Sequence, residues 1–428
     1  MKIRCLHRFE YLLVAAITLP LLSCAQPYEG LWKKWSIDSS GSGADGVHVA
    51  DINRDGSLDV VSGWEQSGEL KVYLNPGPEK VKEEGAWQVL HLNPQQKLKG
   101  IEDAAFVDMD LDGHADAIVA SIEGRTKSLK LYQSEGEGGE LTAQWKAEAL
   151  APEGSAGYMK ARAGQLDGVG GPEIVAGTKA MKGHEAAVYW FRATGSNVSN
   201  DDTVWQRFFV GEIDKKTTTL AIRDMDADDV PDIVYSGRFG FGWFKNPGYE
   251  VLAKDVVAEG WENIVISPMA SEFTFCNETG DGSENIIAVT SQGSGMVAQW
   301  FKRLDSTGRN WQMSPILSDD KRTGKESGKK FALKGVGCGF VDGDNVIDLV
   351  FTASGHGYGV FMMSPRTGLQ RGEAWNLTHL SGHANNMKYD NLALVDLDND
   401  GDLDITSTEE GGVFSAGEGV LWFENPLY

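Results

Sequence analysis

Nine residues, Asp51-Ile52-Asn53-Arg54-Asp55-Gly56-Ser57-Leu58-Asp59, constrain this chain more than any other feature because they recur. The pattern D-x-[DN]-x-D-G-x-x-D returns at Asp108, Asp110, Asp112, Gly113 and Asp116, and at Asp396, Asp398, Asp400, Gly401 and Asp404. Weaker copies stand at Asp224, Asp226, Asp228 and Asp232, at Gln165, Asp167, Gly170 and Glu173, and at Asn277, Asp281, Gly282 and Asn285; a shortened one reads Asp342, Asp344, Asn345, Asp348. Seven copies spaced by roughly 55 to 65 residues imply a repeat whose unit has the length of a four-stranded blade.

A second periodic signal agrees. Trp35 precedes the first acidic loop, and Trp87, Trp145, Trp205, Trp261, Trp311 and Trp375 precede the other six. Between them lie apolar runs such as Val72-Tyr73-Leu74-Asn75-Pro76-Gly77, Trp243-Phe244-Lys245-Asn246-Pro247-Gly248 and Trp422-Phe423-Glu424-Asn425-Pro426. Each unit reads as strand A, acidic turn, strand B, short turn, strand C ending in Asn-Pro, and strand D carrying the Trp. No Trp strand follows the seventh strand C, so the segment Trp32 to Ile37 is expected to complete that sheet, removing two exposed edges at once. The fold class is therefore all-β: a single seven-bladed β-propeller of four-stranded blades over residues 30–428, closed by an N-terminal strand. At 428 residues and 41% apolar composition, a sizeable core is within reach.

These residues resemble the FG-GAP/VCBS family of propeller repeats, found in integrin α-chains and exported bacterial proteins. The likeness covers essentially the whole mature chain and is strongest in blades one, two, four and seven. Five or six oxygens converging in one tight turn, with Gly at position six, suit a hard cation such as Ca²⁺. An EF-hand would place Glu at position twelve; Ser62, Val119, Tyr235 or Ser407 stands there, so these are integrin-type turns between strands. The candidate ligands are Asp51, Asn53, Asp55, Asp59, Asp108, Asp110, Asp112, Asp116, Asp224, Asp226, Asp228, Asp232, Asp342, Asp344, Asp348, Asp396, Asp398, Asp400 and Asp404. Asx-turns without metal are the alternative, above all for the loops at Gln165 and Asn277. Twenty-two carboxylates at ligand positions stand beside a whole-chain charge of −23, so the acidity says little about any partner beyond disfavouring nucleic acid.

Lys2, Arg4 and Arg8 precede an apolar run from Tyr11 to Leu22 that is too short to span a bilayer and ends in Leu21-Leu22-Ser23-Cys24. This stretch resembles a bacterial lipoprotein signal. The resemblance implies a signal over residues 1–23, lipidation at Cys24 and a linker over 24–29. By analogy, Ala25 favours an outer-membrane location, periplasmic or surface-facing; an ordinary secretory signal is the alternative. Cys276 and Cys338 fall on strands A of neighbouring blades at different heights and are expected to be free thiols.

Loops from every blade converge at the axial mouth opposite the acidic turns, where a ligand site is expected. The residues second and fourth before each loop are apolar and pack between blades, as at Val49 and Val47 or Leu394 and Leu392. Alternate positions place His48, Asp103, Lys160, Arg162, Thr219, Glu272 and Asn391 toward the axis. The B–C turns add Trp64, Glu65, Glu123, Lys179, Arg238, His356, Glu409 and Glu410. Charges with an aromatic ring suit a carbohydrate, in first place an anionic polysaccharide or oligosaccharide; an unrelated solvated rim is the alternative. A basic stretch with Lys321, Arg322, Lys325, Lys329, Lys330 and Lys334 would favour an anion.

No G-x-S-x-G, H-E-x-x-H or phosphate-loop motif occurs. Three functions stay open: a monomeric carbohydrate-binding lipoprotein, a carbohydrate-active enzyme such as a polysaccharide lyase, and a protein-interaction scaffold. For β-elimination, His356, Tyr158 or Tyr389 would be the base, and Arg162, Arg238 or Lys179 would neutralise the uronate. If calcium stands about tenfold above its dissociation constant, each filled loop adds roughly 1.4 kcal/mol. Chelation with EDTA is therefore expected to lower the melting temperature sharply, and an unchanged melt would refute calcium loading.

Overall fold

The computed structural model describes residues 30–94, 97–98, 100–111, 115–121, 127–134, 145–151, 156–194, 204–237, 240–254, 260–268, 270–277, 284–290, 297–317, 331–356, 359–365, 375–382, 385–411 and 417–427. Cys24, Asp112, Glu123, Arg238 and the basic stretch from Lys321 to Lys330 lie outside them, as does the side chain of His356.

Strand β1 (Lys33–Asp38) comes first. Blade one is β2 (Ala44–Ala50), β3 (Asp59–Trp64), β4 (Glu69–Leu74) and β5 (Gln88–His91). Blade two is β6 (Ile101–Val107), β7 (Asp116–Ser121), β8 (Ser128–Ser134) and β9 (Trp145–Ala149), and blade three is β10 (Gly157–Gly164), β11 (Glu173–Lys179), β12 (Ala187–Thr194) and β13 (Val204–Glu212). Blade four is β14 (Thr217–Arg223), β15 (Asp232–Gly237), β16 (Gly240–Lys245) and β17 (Glu262–Ser267), and blade five is β18 (Glu272–Cys276), β19 (Asn285–Thr290), β20 (Val297–Arg303) and β21 (Trp311–Leu317). Blade six is β22 (Phe331–Gly339), β23 (Asp348–His356), β24 (Val360–Pro365) and β25 (Trp375–His379). Blade seven is β26 (Asn385–Val395), β27 (Asp404–Glu409) and β28 (Gly419–Glu424), with β1 as its fourth strand.

The ring closes as expected. β1 pairs antiparallel with β28 in a register that sets Trp35 opposite Trp422, and the two indoles stack with centroids 6.3 Å apart. Across the closure, Asp38 accepts hydrogen bonds from Lys71 and from the Tyr73 hydroxyl, both at 2.9 Å, while the Trp64 indole donates to that hydroxyl. Burial raises the Asp38 carboxyl, but bonds from Ser40 and Lys71 outweigh it and hold it below its ordinary range.

Strands B and C are buried on both faces because each blade is sandwiched between two others; β3, β7, β15 and β27 are buried throughout. Strands D are mostly exposed or half-buried, as peripheral strands should be. The described core falls into seven apolar clusters, one at each seam between blades. Blades six and seven depart from the simple plan. β23 overhangs its blade, and its end pairs with β26 through Ser354–Lys388 and His356–Asn385, joining the two into one sheet.

The free-thiol expectation is corrected, since Cys276 and Cys338 form a disulfide across the seam of blades five and six, with Cα atoms 5.7 Å apart. Strand alternation explains this. Cys276 is the first residue before its loop, a position that faces the following blade, and Cys338 is second before its own, facing the preceding blade. They therefore point at each other, and one residue of offset is within a disulfide's reach. The bridge closes a separation of 62 residues. Replacing both cysteines by Ala is expected to cost roughly 2–4 kcal/mol in denaturant unfolding, and a reductant should reproduce the loss in the wild type.

Candidate functional site

The acidic loops occupy one face, and blades one, four and seven fold theirs alike. The first Asp receives backbone N–H groups from the far side of the turn: Asp55 and Gly56 donate to Asp51, and Asp400 and Gly401 donate to Asp396, at 3.0 to 3.1 Å. The ninth residue is a latch. Asp59 accepts from the N–H of Ile52 at 3.1 Å with one oxygen and from that of Asn75 at 2.8 Å with the other; Asp232 and Asp404 repeat this with Met225 and Asn246, and with Leu397 and Asn425. Burial pushes Asp59 and Asp232 up to about 7 and Asp404 up to about 8.

The Asn of Asn-Pro is part of the same device. Asn75 donates to the carbonyl of Leu397, Asn246 to that of Leu166 and Asn425 to that of Val341, each the second loop residue of the preceding blade. In blade five, Arg303 reaches the equivalent carbonyl of Met225 at 2.5 Å. In the sequence this Asn marks the end of strand C, and its recurrence before Pro is the signal of its second role.

The loops fit a hard cation by donor chemistry and by orphaned oxygens. Asp224, Asp226 and Asp232 converge, as do Asp396, Asp398 and Asp404, close enough to hold one metal ion. One oxygen of Asp398 and both oxygens of the buried Asp402 have no hydrogen-bond partner, and burial followed by the neighbouring Asp400 pushes Asp402 up to about 7.

At the opposite end of the axis a cavity of about 380 Å³ gathers side chains from all seven blades. Glu65, Lys160, Arg162, Lys179, Thr219, Glu272, Asn391 and Glu410 line it, as the alternation implied. Asp103 lies buried beneath Arg162, which donates to it at 2.6 Å, and His48 contacts its other oxygen at 3.2 Å. Burial opposes ionisation of Asp103, but Arg162 and Lys160 hold it far below its ordinary range. Burial and then Arg162 lower His48.

Four expected mouth residues are elsewhere. Tyr158 and Tyr389 are buried in the seams of blades two and three and of blades six and seven, so neither offers a base to the cavity. Trp64 is fully buried at the closure seam and cannot stack on a ligand. Glu409 is consumed by backbone N–H groups of Lys388, Gly411 and Glu418.

The tyrosines share a physical cause with the lining residues the alternation missed. Strands A carry a β-bulge near the mouth, at Asp45/His48, Ile101/Asp103, Tyr158/Lys160, Thr217/Thr219, Leu333/Gly335 and Tyr389/Leu392. A bulge inserts a residue and reverses the facing of everything beyond it. It turns Tyr158 and Tyr389 into the seams and brings Asp45, Glu102, Lys216, Lys334, Lys388 and Asp390 to the cavity.

Half of these charges are matched in ion pairs. Lys334 pairs with Asp390 at 3.3 Å and Lys388 with Glu410. Asp45, Asp390 and Glu410 also converge closely enough to hold a metal ion, but these lysines already meet their charge. Burial and then the adjacent Asp390 raise Asp45 well above its ordinary value, while Lys334 and a hydrogen bond from Asp45 hold Asp390 low against burial. Lys179 and Lys216 make no side-chain hydrogen bond or ion pair among the described residues. Burial, then the Lys334 charge, lowers Lys216.

Residues 51–119 match the family model for an FG-GAP-like repeat. The chain is a β-propeller that carries an FG-GAP-like repeat. A solved structure of BBS1N in complex with ARL6DN matches this propeller with TM-score 0.53 and 12% identity, over 93% of this chain and 98% of that one. At that identity the likeness shows the fold alone. An Agrocybe aegerita lectin that recognises non-reducing terminal N-acetylglucosamine matches with TM-score 0.45 and 12% identity, over 90% of this chain and 86% of its own. The exotype rhamnogalacturonan lyase YesX matches with TM-score 0.45 and 13% identity, over 90% and 72%. No curated protein matches the sequence.

Glu272 gives the mouth a pH signature. Burial pushes its carboxyl up to about 7 from an ordinary 4.5, against the pull of Lys160 and a bond from Thr219. The folded chain therefore holds a proton that the unfolded chain has released, and this penalty on folding develops as pH rises from about 4.5 to 7. Glu272→Gln is expected to melt with the wild type near pH 4 and above it at pH 8.

Proposed function

We propose that this propeller is an exported, lipid-anchored protein that binds an anionic carbohydrate in the axial cavity, opposite loops that take calcium. The observation that carries the reading is the pair Lys179 and Lys216. They stand on adjacent blades at the same mouth, joined by a backbone bridge, and their ammonium groups are unpaired among the described residues. A carboxylate or sulfate between them would relieve the penalty that burial and Lys334 place on Lys216. The remaining lining is strongly polar, with Thr219, Asn391 and alternating charges placed for sugar hydroxyls. With Trp64 buried, recognition rests on charge and hydrogen bonding rather than on stacking.

Export has separate support. A disulfide between blades five and six suits an oxidising compartment, and the basic-apolar start ending in Leu21-Leu22-Ser23-Cys24 suits lipidation of Cys24. A second reading, β-elimination from a uronate, draws on Glu272. It is a carboxyl pushed up to about 7 in the same cavity as Lys160 and Lys216, where it would act as base beside neutralising cations.

The test is titration with oligogalacturonate and with the matching neutral galactose oligomer. Binding is expected for the acidic oligomer, weakened by salt, and reduced at least about tenfold in the Lys179→Ala/Lys216→Ala double variant. Equal binding of both oligomers, or an unaffected double variant, would remove the anionic reading. Ultraviolet absorbance of an unsaturated uronate, lost in Glu272→Gln, would favour the lyase.

A further inference from the structure

Two seams of the axial mouth are built alike and carry opposite charge. Lys179, six residues after the ninth loop residue Glu173, ends strand B of blade three and is bridged to Lys216 at the start of blade four. Glu65, six residues after Asp59, holds the same place in blade one. Its carbonyl accepts from the N–H of Gly100 at 2.9 Å, just ahead of Glu102 on β6 of blade two. Glu65, Glu102, Lys179 and Lys216 all line the cavity of about 380 Å³.

The other charges at the mouth have their counterparts. Asp103 is held by Arg162 and Lys160, Asp390 by Lys334 and Glu410 by Lys388. Glu272 accepts from Thr219, and burial pushes it up to about 7, so near neutrality it needs no cation. Neither Glu65 nor Glu102 makes an ion pair among the described residues. Glu65 accepts from the neutral amide of Gln66 at 2.7 Å. Burial raises the Glu102 carboxyl, Lys160 pulls against it and Glu65 adds to it. Lys160 stands between the two seams and donates to the backbone carbonyl of Glu102 at 3.0 Å, not to its carboxylate. The mouth thus keeps an unmatched anionic seam at blades one and two beside an unmatched cationic seam at blades three and four.

We propose that the carbohydrate bound in this cavity is amphoteric: besides the acidic group between Lys179 and Lys216, it carries a free amino group whose ammonium is bound by Glu65 and Glu102. A purely acidic ligand would satisfy the lysines while facing two bare carboxylates across a confined space, where like charges repel strongly. An ammonium on the same sugar removes that repulsion and favours the ionised form of Glu102. An N-acetyl group brings no charge and cannot replace it. This ligand class rests on the anionic-carbohydrate reading of the same cavity and adds the second charge to it.

The experiment is calorimetric titration of the full chain near pH 6.5, where an amino group keeps its proton. The probes are glucosamine 6-sulfate, N-acetylglucosamine 6-sulfate and oligogalacturonate, and circular dichroism with thermal melts establishes that each variant is folded. Glucosamine 6-sulfate is expected to bind at least about tenfold more tightly than its N-acetyl form and to compete with oligogalacturonate. In Glu65→Gln/Glu102→Gln that preference should vanish while oligogalacturonate binds as well as before or better. Lys179→Ala/Lys216→Ala should weaken all three. Binding of glucosamine 6-sulfate alone, lost in both double variants, would also support the proposal. If oligogalacturonate binds but the two sulfates bind equally, the N-acetyl form is preferred or neither sulfate binds, this inference alone is overturned. A preference for the amine that survives in Glu65→Gln/Glu102→Gln overturns it as well. Failure of all three probes to bind would overturn the anionic reading together with it.

Discussion

A ring of sheets has no free edge to spare, and here the ring is completed by a strand from the opposite end of the chain. β1 supplies the fourth strand of blade seven, stacking Trp35 on Trp422. It also delivers Asp38 to Lys71 and Tyr73 of blade one, so the seam between the first and last blades is sealed by a buried ion pair as well as by apolar contact. Removing one partner of such a pair is far more costly than the pair is stabilising, which ties the register of closure to specific side chains. With the ring closed, every strand A faces a common axis and seven loops meet at each end.

The two ends use that convergence differently. On the acidic face, the ninth loop residue binds its own strand C, and the Asn of that strand binds the loop of the preceding blade, so consecutive repeats are stitched at a fixed height. Buried N–H and carbonyl groups that a tight turn would otherwise leave unpaired are satisfied in the process. At the mouth, the β-bulges at the starts of strands A widen the set of side chains reaching the axis, which is how a narrow channel holds so many charges in about 380 Å³.

Repetition at fixed spacing was legible because each blade must solve the same problem of burial. The period of the acidic motif and of the tryptophans gave the number of blades, and the missing last Trp strand pointed to β1. The apolar residues two and four before each loop, such as Leu220 and Ile222, are found in the seams as the period of two requires. The disulfide was legible by the same alternation, because Cys276 and Cys338 have opposite facing. Their different heights relative to the loops mask it. Tyr158, Tyr389 and the lining charges Asp45, Glu102, Lys216, Lys388 and Asp390 were not legible, since a bulge leaves no mark in the hydrophobic pattern.

By itself, then, the sequence determined the all-β repeat, its blade count and the loops rich in carboxylate, because these depend on local turn chemistry and on periodicity along one chain. Tertiary structure alone decided which charges neutralise one another. Lys82 reaches the loop of blade seven from blade one, Lys334 finds Asp390 across a seam, and Lys179 and Lys216 are left over. Pairing between blades depends on the small displacements that closure and bulging impose, and a charge is spent or free according to distances of a few ångströms that no spacing in the sequence encodes.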